Sequence, residues 1–327
     1  MGTKKTTRKV KSGKKRKGKR KKQHTISLFS SLKQMFIWAV VLTIAFVGLM
    51  YLYPYLYPVE KTIPGEKPIA KKKEIIEKPQ QKKPSRSSSV QKKKLTFPEK
   101  AEIPRLQTKK EEQVIYHEGY TVSYNSNYKI ANWVAWELTA KEAQSKKVER
   151  KNKFVSDPKV KGATARNEDY TRTGYDRGHL APAGDMKWSD KAMRESFYLS
   201  NICPQDPALN RGVWKTLEEQ SRLWALDYEV LLIAAGPVIK GDLKRLGTNR
   251  IGVPTHFYKV ICTITDNKYQ GIAFLLENKD YKNVSLQSLA IPIDSVEKVT
   301  GIDFFHLLPD DQERIMESKV DLDCWSF

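Results

Sequence analysis

Nineteen consecutive residues without a charge, 35–53, interrupt a stretch otherwise crowded with lysine and arginine. Nothing constrains the first third of the chain more, because a run this apolar must leave water. As a helix it is ~28 Å long, close to the ~30 Å hydrocarbon core of a bilayer. Tyr51, Tyr53, Tyr55 and Tyr57 cluster at its far end, where amphipathic rings favour headgroups. A cleaved signal peptide is the competing reading, but Pro-Tyr-Leu-Tyr-Pro stands where a small-residue cleavage site is needed. The run is therefore read as a single transmembrane signal-anchor helix that contacts the membrane.

Charge organises what lies around it. Residues 1–34 hold fourteen Lys and Arg and no acid, which reads as a basic disordered tail. Within twenty residues of the span, eight basic residues precede it and five follow. That bias puts the amino terminus in the cytoplasm. The expectation is a single-pass membrane protein whose remaining chain is extracytoplasmic, on the periplasmic or cell-surface side. Residues 54–112 are rich in Pro, Lys and Ser, too polar to form a core, and read as a disordered linker with a reach of ~40 Å.

Residues 113–327 are different: 29 basic residues meet 29 acidic ones. The high sequence pI therefore belongs to the tail and linker. A nucleic-acid footprint spread over this domain is excluded, and only a local arginine cluster can supply one. Cys203, Cys262 and Cys324 allow at most one disulfide and lack the paired spacing of a zinc site. Cys203 and Cys262 read as small buried apolar residues.

Short apolar runs of strand length begin at residues 120, 130, 229, 257 and 271, with a hairpin signal from Gln270-Gly271 after Asp266-Asn267 between the last two. Residues 208–227 carry Leu209, Val213, Trp214, Leu217 and Leu223 at helical spacing. Shorter helices are predicted over 294–299 and 309–318. The class is α+β, built on a largely antiparallel central sheet and preceded by one transmembrane helix and a disordered linker.

The chemistry concentrates between residues 174 and 222. Phosphodiester cleavage needs a base for water, positive charge on the non-bridging oxygens, and stabilisation of the leaving alkoxide. His179 suits the first, since its ordinary pKa is near neutrality. Asn210 suits a loosely held Mg²⁺, which keeps most of its waters. If Asn210 starts a helix, Glu218 lies ~80° around and ~12 Å along it, which suits a partner acting through metal waters. Arg177 falls on the same side of a strand as His179 and suits a phosphate clamp. Arg222 suits either phosphate or an ion pair with Glu218. Each residue also has a plain reading: Asn201 and Asn210 as caps, Glu218 with Arg222 as a surface pair. His24, His117, His256 and His306 read as structural.

Three segments together resemble one family. They are Asp176-Arg177-Gly178-His179, then Ser200-Asn201-Ile202-x-Pro204-Gln205, then Leu209-Asn210-x-x-x-Trp214-x-x-Leu217-Glu218. The pattern resembles the DNA/RNA non-specific endonucleases, the ββα-metal nucleases that include endonuclease G and secreted bacterial nucleases. The match is dense over 175–222, looser over the rest of 113–327, and leaves out the anchor and linker. The resemblance implies a ββα-metal nuclease domain in which His179 is the general base and Asn210 the direct Mg²⁺ ligand, with Mn²⁺ a substitute. It makes Glu218 the outer-sphere partner and gives phosphate to Arg177 and Arg222, with Arg150 matching an upstream family arginine. It also has Asp176 and Asn201 shape the site around the histidine. DNA and RNA are then the substrates, held through phosphate and cut to 5′-phosphate products; no protein partner is indicated. The rival expectation is an envelope-anchored protein that binds nucleic acid or another polymer without cleaving it.

Overall fold

The computed structural model describes residue 2 and residues 94–327. The rest of the basic tail, the apolar run 35–53 and the linker up to residue 93 lie outside the described residues. Among the described residues no helix is long and apolar enough to cross a membrane.

Seven strands form one antiparallel sheet. From one edge they run Ala290–Ile291, Lys268–Glu277, His256–Thr265, Val230–Pro237, Ile130–Thr139, Thr121–Asn125 and Gln113–Tyr116. The class is α+β, as the spacing of the apolar runs predicts. Asp266 and Asn267 turn the longest hairpin, both with positive φ (50° and 56°), the conformation that tight hairpins demand and that Asp and Asn tolerate.

Period-two alternation divides the core between the two faces. Val134, Trp136, Ile233, Phe257 and Ile261 point to one face and pack beneath Trp214, Leu217 and Trp224 of the helix Val213–Tyr228. Trp133, Leu232, Tyr258 and Val260 point to the other. There they meet the closing helices Ile293–Thr300 and Asp310–Glu317 through Ile293, Val296 and Met316. Cys203, Cys262 and Cys324 are all free, the first two buried.

Two boundaries differ from expectation. The folded chain begins before residue 113. Leu95 N donates to Asn267 Oδ1 (2.6 Å), Phe97 packs on Tyr269, Ala101 is buried, and Arg105–Leu106 pairs with Ile302–Asp303. Composition hid this, because these apolar residues follow directly on the Lys92-Lys93-Lys94 run. The helix predicted over 208–227 is also not continuous. It consists of Pro207–Arg211 and Val213–Tyr228, broken at Gly212.

Candidate active site

Outside the large sheet, strand Asp176–His179 pairs antiparallel with Ile202–Gln205. Alternation along this ribbon turns Arg177 and His179 the same way, and both line one cleft of about 400 Å³. Gly178 faces the opposite side, where a Cβ would come within 1.9 Å of Gln205 Oε1. Only glycine lets that side chain cross the ribbon.

His179 is 7 % exposed. Its ring meets Phe197 edge-on at 4.9 Å and Phe154 at 5.4 Å, and its carbonyl accepts from Trp214 Nε1 (3.1 Å). Nε2 is buried without a partner. Burial, with the Arg150 charge adding to it, lowers the imidazole pKa to about 3. The ring is therefore neutral at physiological pH. Just past it, Asn201 clamps the backbone: Oδ1 accepts from Ala181 N (2.9 Å), while Nδ2 donates to the carbonyls of Ala181 and Ser196 (both 2.8 Å). These bonds fix the backbone just past the histidine.

The second support is the broken helix. Asp206 caps it by accepting from Ala208 N (2.8 Å), and Pro207 takes the first turn, where no N–H is needed. At Gly212 (φ −102°, ψ −119°) a Cβ would lie 2.4 Å from Ala208 O, so the chain bends where a side chain cannot fit. The offset expected from one straight helix therefore does not apply: Asn210 lies in the last turn of the short helix and Glu218 sits on the long one. The bend still leaves both on the cleft, together with Arg150, Arg177, His179 and Arg222.

Asp176, expected to shape the site around the histidine, makes its bonds to the short helix instead. It accepts from Asn210 Nδ2 (2.9 Å) and from Arg211 Nε and Nη2 (2.8 and 2.7 Å). Burial alone raises its carboxyl pKa, but the bonds from Arg211 and Asn210 outweigh this and hold it below the ordinary range. With the amide nitrogen committed, Asn210 Oδ1 is the end left to face a cation. The reason for the departure is alternation: Asp176 is one residue out of phase with Arg177 and His179, so it reaches the helix side of the ribbon.

Arg177 donates from Nη2 to Asn167 O (2.8 Å) and lies over the rings of Phe154 and Tyr170. Arg222 pairs with Asp185 rather than Glu218, Nη1 to Oδ1 at 2.9 Å, and Trp136 Nε1 donates to the other Asp185 oxygen (3.2 Å). Glu218 is half-buried. Burial raises its pKa to about 7, with Lys259 the strongest opposing charge, Asp185 reinforcing the rise, and Arg222 and Arg150 opposing it.

Sequence reasoning missed Asp185 and Lys259. Asp185 lies in an irregular stretch where no periodicity marks it. Lys259 did leave a signal, a lone charge in the middle of the apolar run Phe257-Tyr-Lys-Val-Ile-Cys. Among the described residues, the trio of acids whose ligand atoms converge within 4.8 Å is Asp294, Glu297 and Glu317, and none of them lines this cleft. The cleft itself combines a neutral imidazole, an amide oxygen, two carboxylates and the guanidinium groups of Arg150, Arg177, Arg211 and Arg222. Such a set can take a proton from water and hold a phosphodiester.

Residues 98–311 match the family model described as DNA/RNA non-specific endonuclease. Over 205 residues the chain is 33 % identical to human endonuclease G, mitochondrial, covering 59 % of this chain and 69 % of that protein. Zebrafish mitochondrial nuclease EXOG is 32 % identical over 212 residues, covering 60 % of this chain and 62 % of its own length. A crystal structure of an EndoG/EndoGI complex, described as bearing on EndoG inhibition, superposes with a TM-score of 0.58 at 33 % identity, covering 62 % of this chain and 89 % of that one. These relatives overturn the expected location: they are mitochondrial nucleases, not single-pass membrane proteins with an extracytoplasmic domain. A basic, acid-free leader and an apolar run occur in more than one targeting class, so charge bias alone does not assign a compartment.

Proposed function

This chain belongs to the DNA/RNA non-specific endonuclease family, and on that premise we propose that it hydrolyses phosphodiester bonds of DNA and RNA to 5′-phosphate products, with Mg²⁺ bound at Asn210. The observation that carries the reading is the convergence of His179, Asn210, Glu218 and three arginines on one cleft. The donors suit a hard cation: Asn210 Oδ1 is left free by the bond from its Nδ2 to Asp176, and Glu218, on the same cleft, would orient metal waters. A bound Mg²⁺, or Mn²⁺ in its place, supplies positive charge for the phosphate oxygens and the departing alkoxide.

The chain's own residues do the rest. Because Nε2 of His179 is buried and unpartnered, proton exchange with the cleft runs through Nδ1. The imidazole is neutral over the whole physiological range, so its lone pair is not blocked by a proton, and the same burial weakens it as a base. Asn201 and Trp214 hold the backbone on which that ring is mounted. Arg177, Arg222 and Arg150 offer guanidinium groups to the phosphate, where planar donors match the oxygens. None of these groups reads a base edge, which suits cleavage without sequence preference.

The deciding experiment incubates the full-length protein with supercoiled plasmid and with single-stranded RNA in Mg²⁺. Nicking that disappears with EDTA and in His179→Ala is the expected outcome. Binding without scission under every divalent cation tried would leave a nucleic-acid-binding protein and sink the hydrolase.

A further inference from the structure

We infer that Lys259, buried beneath the cleft, is a positioning residue of the active site: its ammonium, clasped between Trp136 and Trp214, anchors the two indoles that hydrogen-bond Asp185 and the carbonyl of His179. The inference rests on the nuclease reading above for its consequence, though not for its geometry. Lys259 is on the central strand His256–Thr265, at a position whose alternation places it under the cleft with Phe257 and Ile261. It is 0 % exposed, and Nζ has no hydrogen-bond partner. The ammonium lies 5.2 Å from the Trp136 ring centre and 5.1 Å from that of Trp214, within the range of cation–π attraction.

Each indole passes that constraint upward. Trp136 Nε1 donates to Asp185, whose other oxygen takes Arg222 Nη1. Trp214 Nε1 donates to the carbonyl of His179. One cation thus lies under both the phosphate-side arginine and the general base. Its charge also reaches Glu218: it is the strongest influence opposing the burial that raises that carboxyl, while Glu218 and Asp185 in turn oppose the burial that lowers the Lys259 pKa.

A structural explanation alone does not suffice. Burying a charge is unfavourable, and an apolar side chain of the same length fills the space between two indoles without that penalty. Keeping a lysine there makes sense if the site above it needs the charge.

The test uses the full-length protein. Lys259→Met is expected to remain folded with Tm at or above wild type and to shift the indole N–H resonances of Trp136 and Trp214. Its kcat on plasmid should fall by about tenfold or more, with KM within about twofold. Lys259→Arg, which keeps the cation, is expected to recover much of the lost kcat. Wild-type kcat in folded Lys259→Met overturns the assignment, as does a folded Lys259→Arg no better than Met. If Lys259→Met does not fold, the wild-type lysine ammonium resonance decides: a protonated group protected from exchange supports the clasp, and a neutral or freely exchanging amine overturns it. Wild-type protein that cuts nothing removes the nuclease reading instead, while the indole shifts still test the clasp.

Discussion

Two places in this domain gather carboxylates out of water, and they do so in opposite ways. In the cleft, Glu218 and Asp185 are interleaved with Arg150, Arg222 and Lys259, and an amide and an imidazole face the same space. On the far side of the sheet, Asp294, Glu297 and Glu317 crowd together beside Glu313 and Asp303, with Arg105 paired to Asp303 at the edge. Burial pushes Glu317 up to about 10 and Glu297 up to about 7, with neighbouring acids adding to the rise for both. Cationic neighbours oppose the rise at Glu218 and hold it to about 7, whereas Glu317, surrounded by other acids, rises to about 10 and keeps its proton at neutral pH.

The sharpest way to break that contrast is at the base. His179→Ala should reduce plasmid nicking about 10³-fold in a gel assay, whereas Glu317→Gln should leave it within about twofold. Loss of activity in Glu317→Gln with retention in His179→Ala would reverse the assignment of the two places. Next in size, Asn210→Ala is expected to lower activity by about 10²-fold, and Asp176→Asn by about tenfold. Raising Mg²⁺ should recover part of the loss in the second variant, which a metal titration of the initial rate will show.

A pH profile separates the two carboxyls by sign. In the proposed mechanism Glu218 acts ionised, so its pKa of about 7 should make activity rise with pH, by about tenfold between pH 6 and pH 8. Glu218→Gln should flatten that limb. His179, with its pKa lowered to about 3, contributes no limb in this window. Glu317 acts on stability in the other direction. Its folded pKa is raised above the unfolded value, so its contribution is full below about pH 4.5 and is lost as pH rises toward about 10. Wild-type Tm should therefore fall between pH 6 and pH 9 by a few degrees more than that of Glu317→Gln, roughly the shift that one or two kcal/mol produces in a domain of this size. Equal slopes would remove Glu317 from the contrast.

The smallest effect expected is on salt. The domain carries no net charge over 113–327, so substrate affinity rests on a few arginines and should depend weakly on ionic strength. Protein that retains the Lys-rich linker should show a steeper slope of log affinity against log salt. Identical slopes would mean that the linker takes no part in capturing substrate.

Much of the architecture was legible because it rests on local rules. The apolar runs of strand length that begin at 130 and 257, the turn signal between 266 and 271 and the helical spacing of Trp214 and Leu217 each rest on rules that act over a few residues. Arg177 and His179 were correctly put on one side of a strand for the same reason. The break at Gly212 was not seen, since a glycine in an apolar-periodic run is compatible with an unbroken helix until Ala208 O is known to lie in the way. Nor did the Lys92-Lys93-Lys94 run give any hint that Phe97 would pack on Tyr269, 172 residues later.

Residue chemistry and spacing alone determined that this chain carries a histidine, an asparagine and arginines suited to phosphate, mounted on an α+β scaffold. Which groups touch was decided only in three dimensions. Asp176 serves Asn210 instead of the histidine, Arg222 serves Asp185 instead of Glu218, and Lys259 lies under them all. Local pattern specifies the face on which a side chain emerges, whereas its partner comes from another part of the chain that only folding brings within reach.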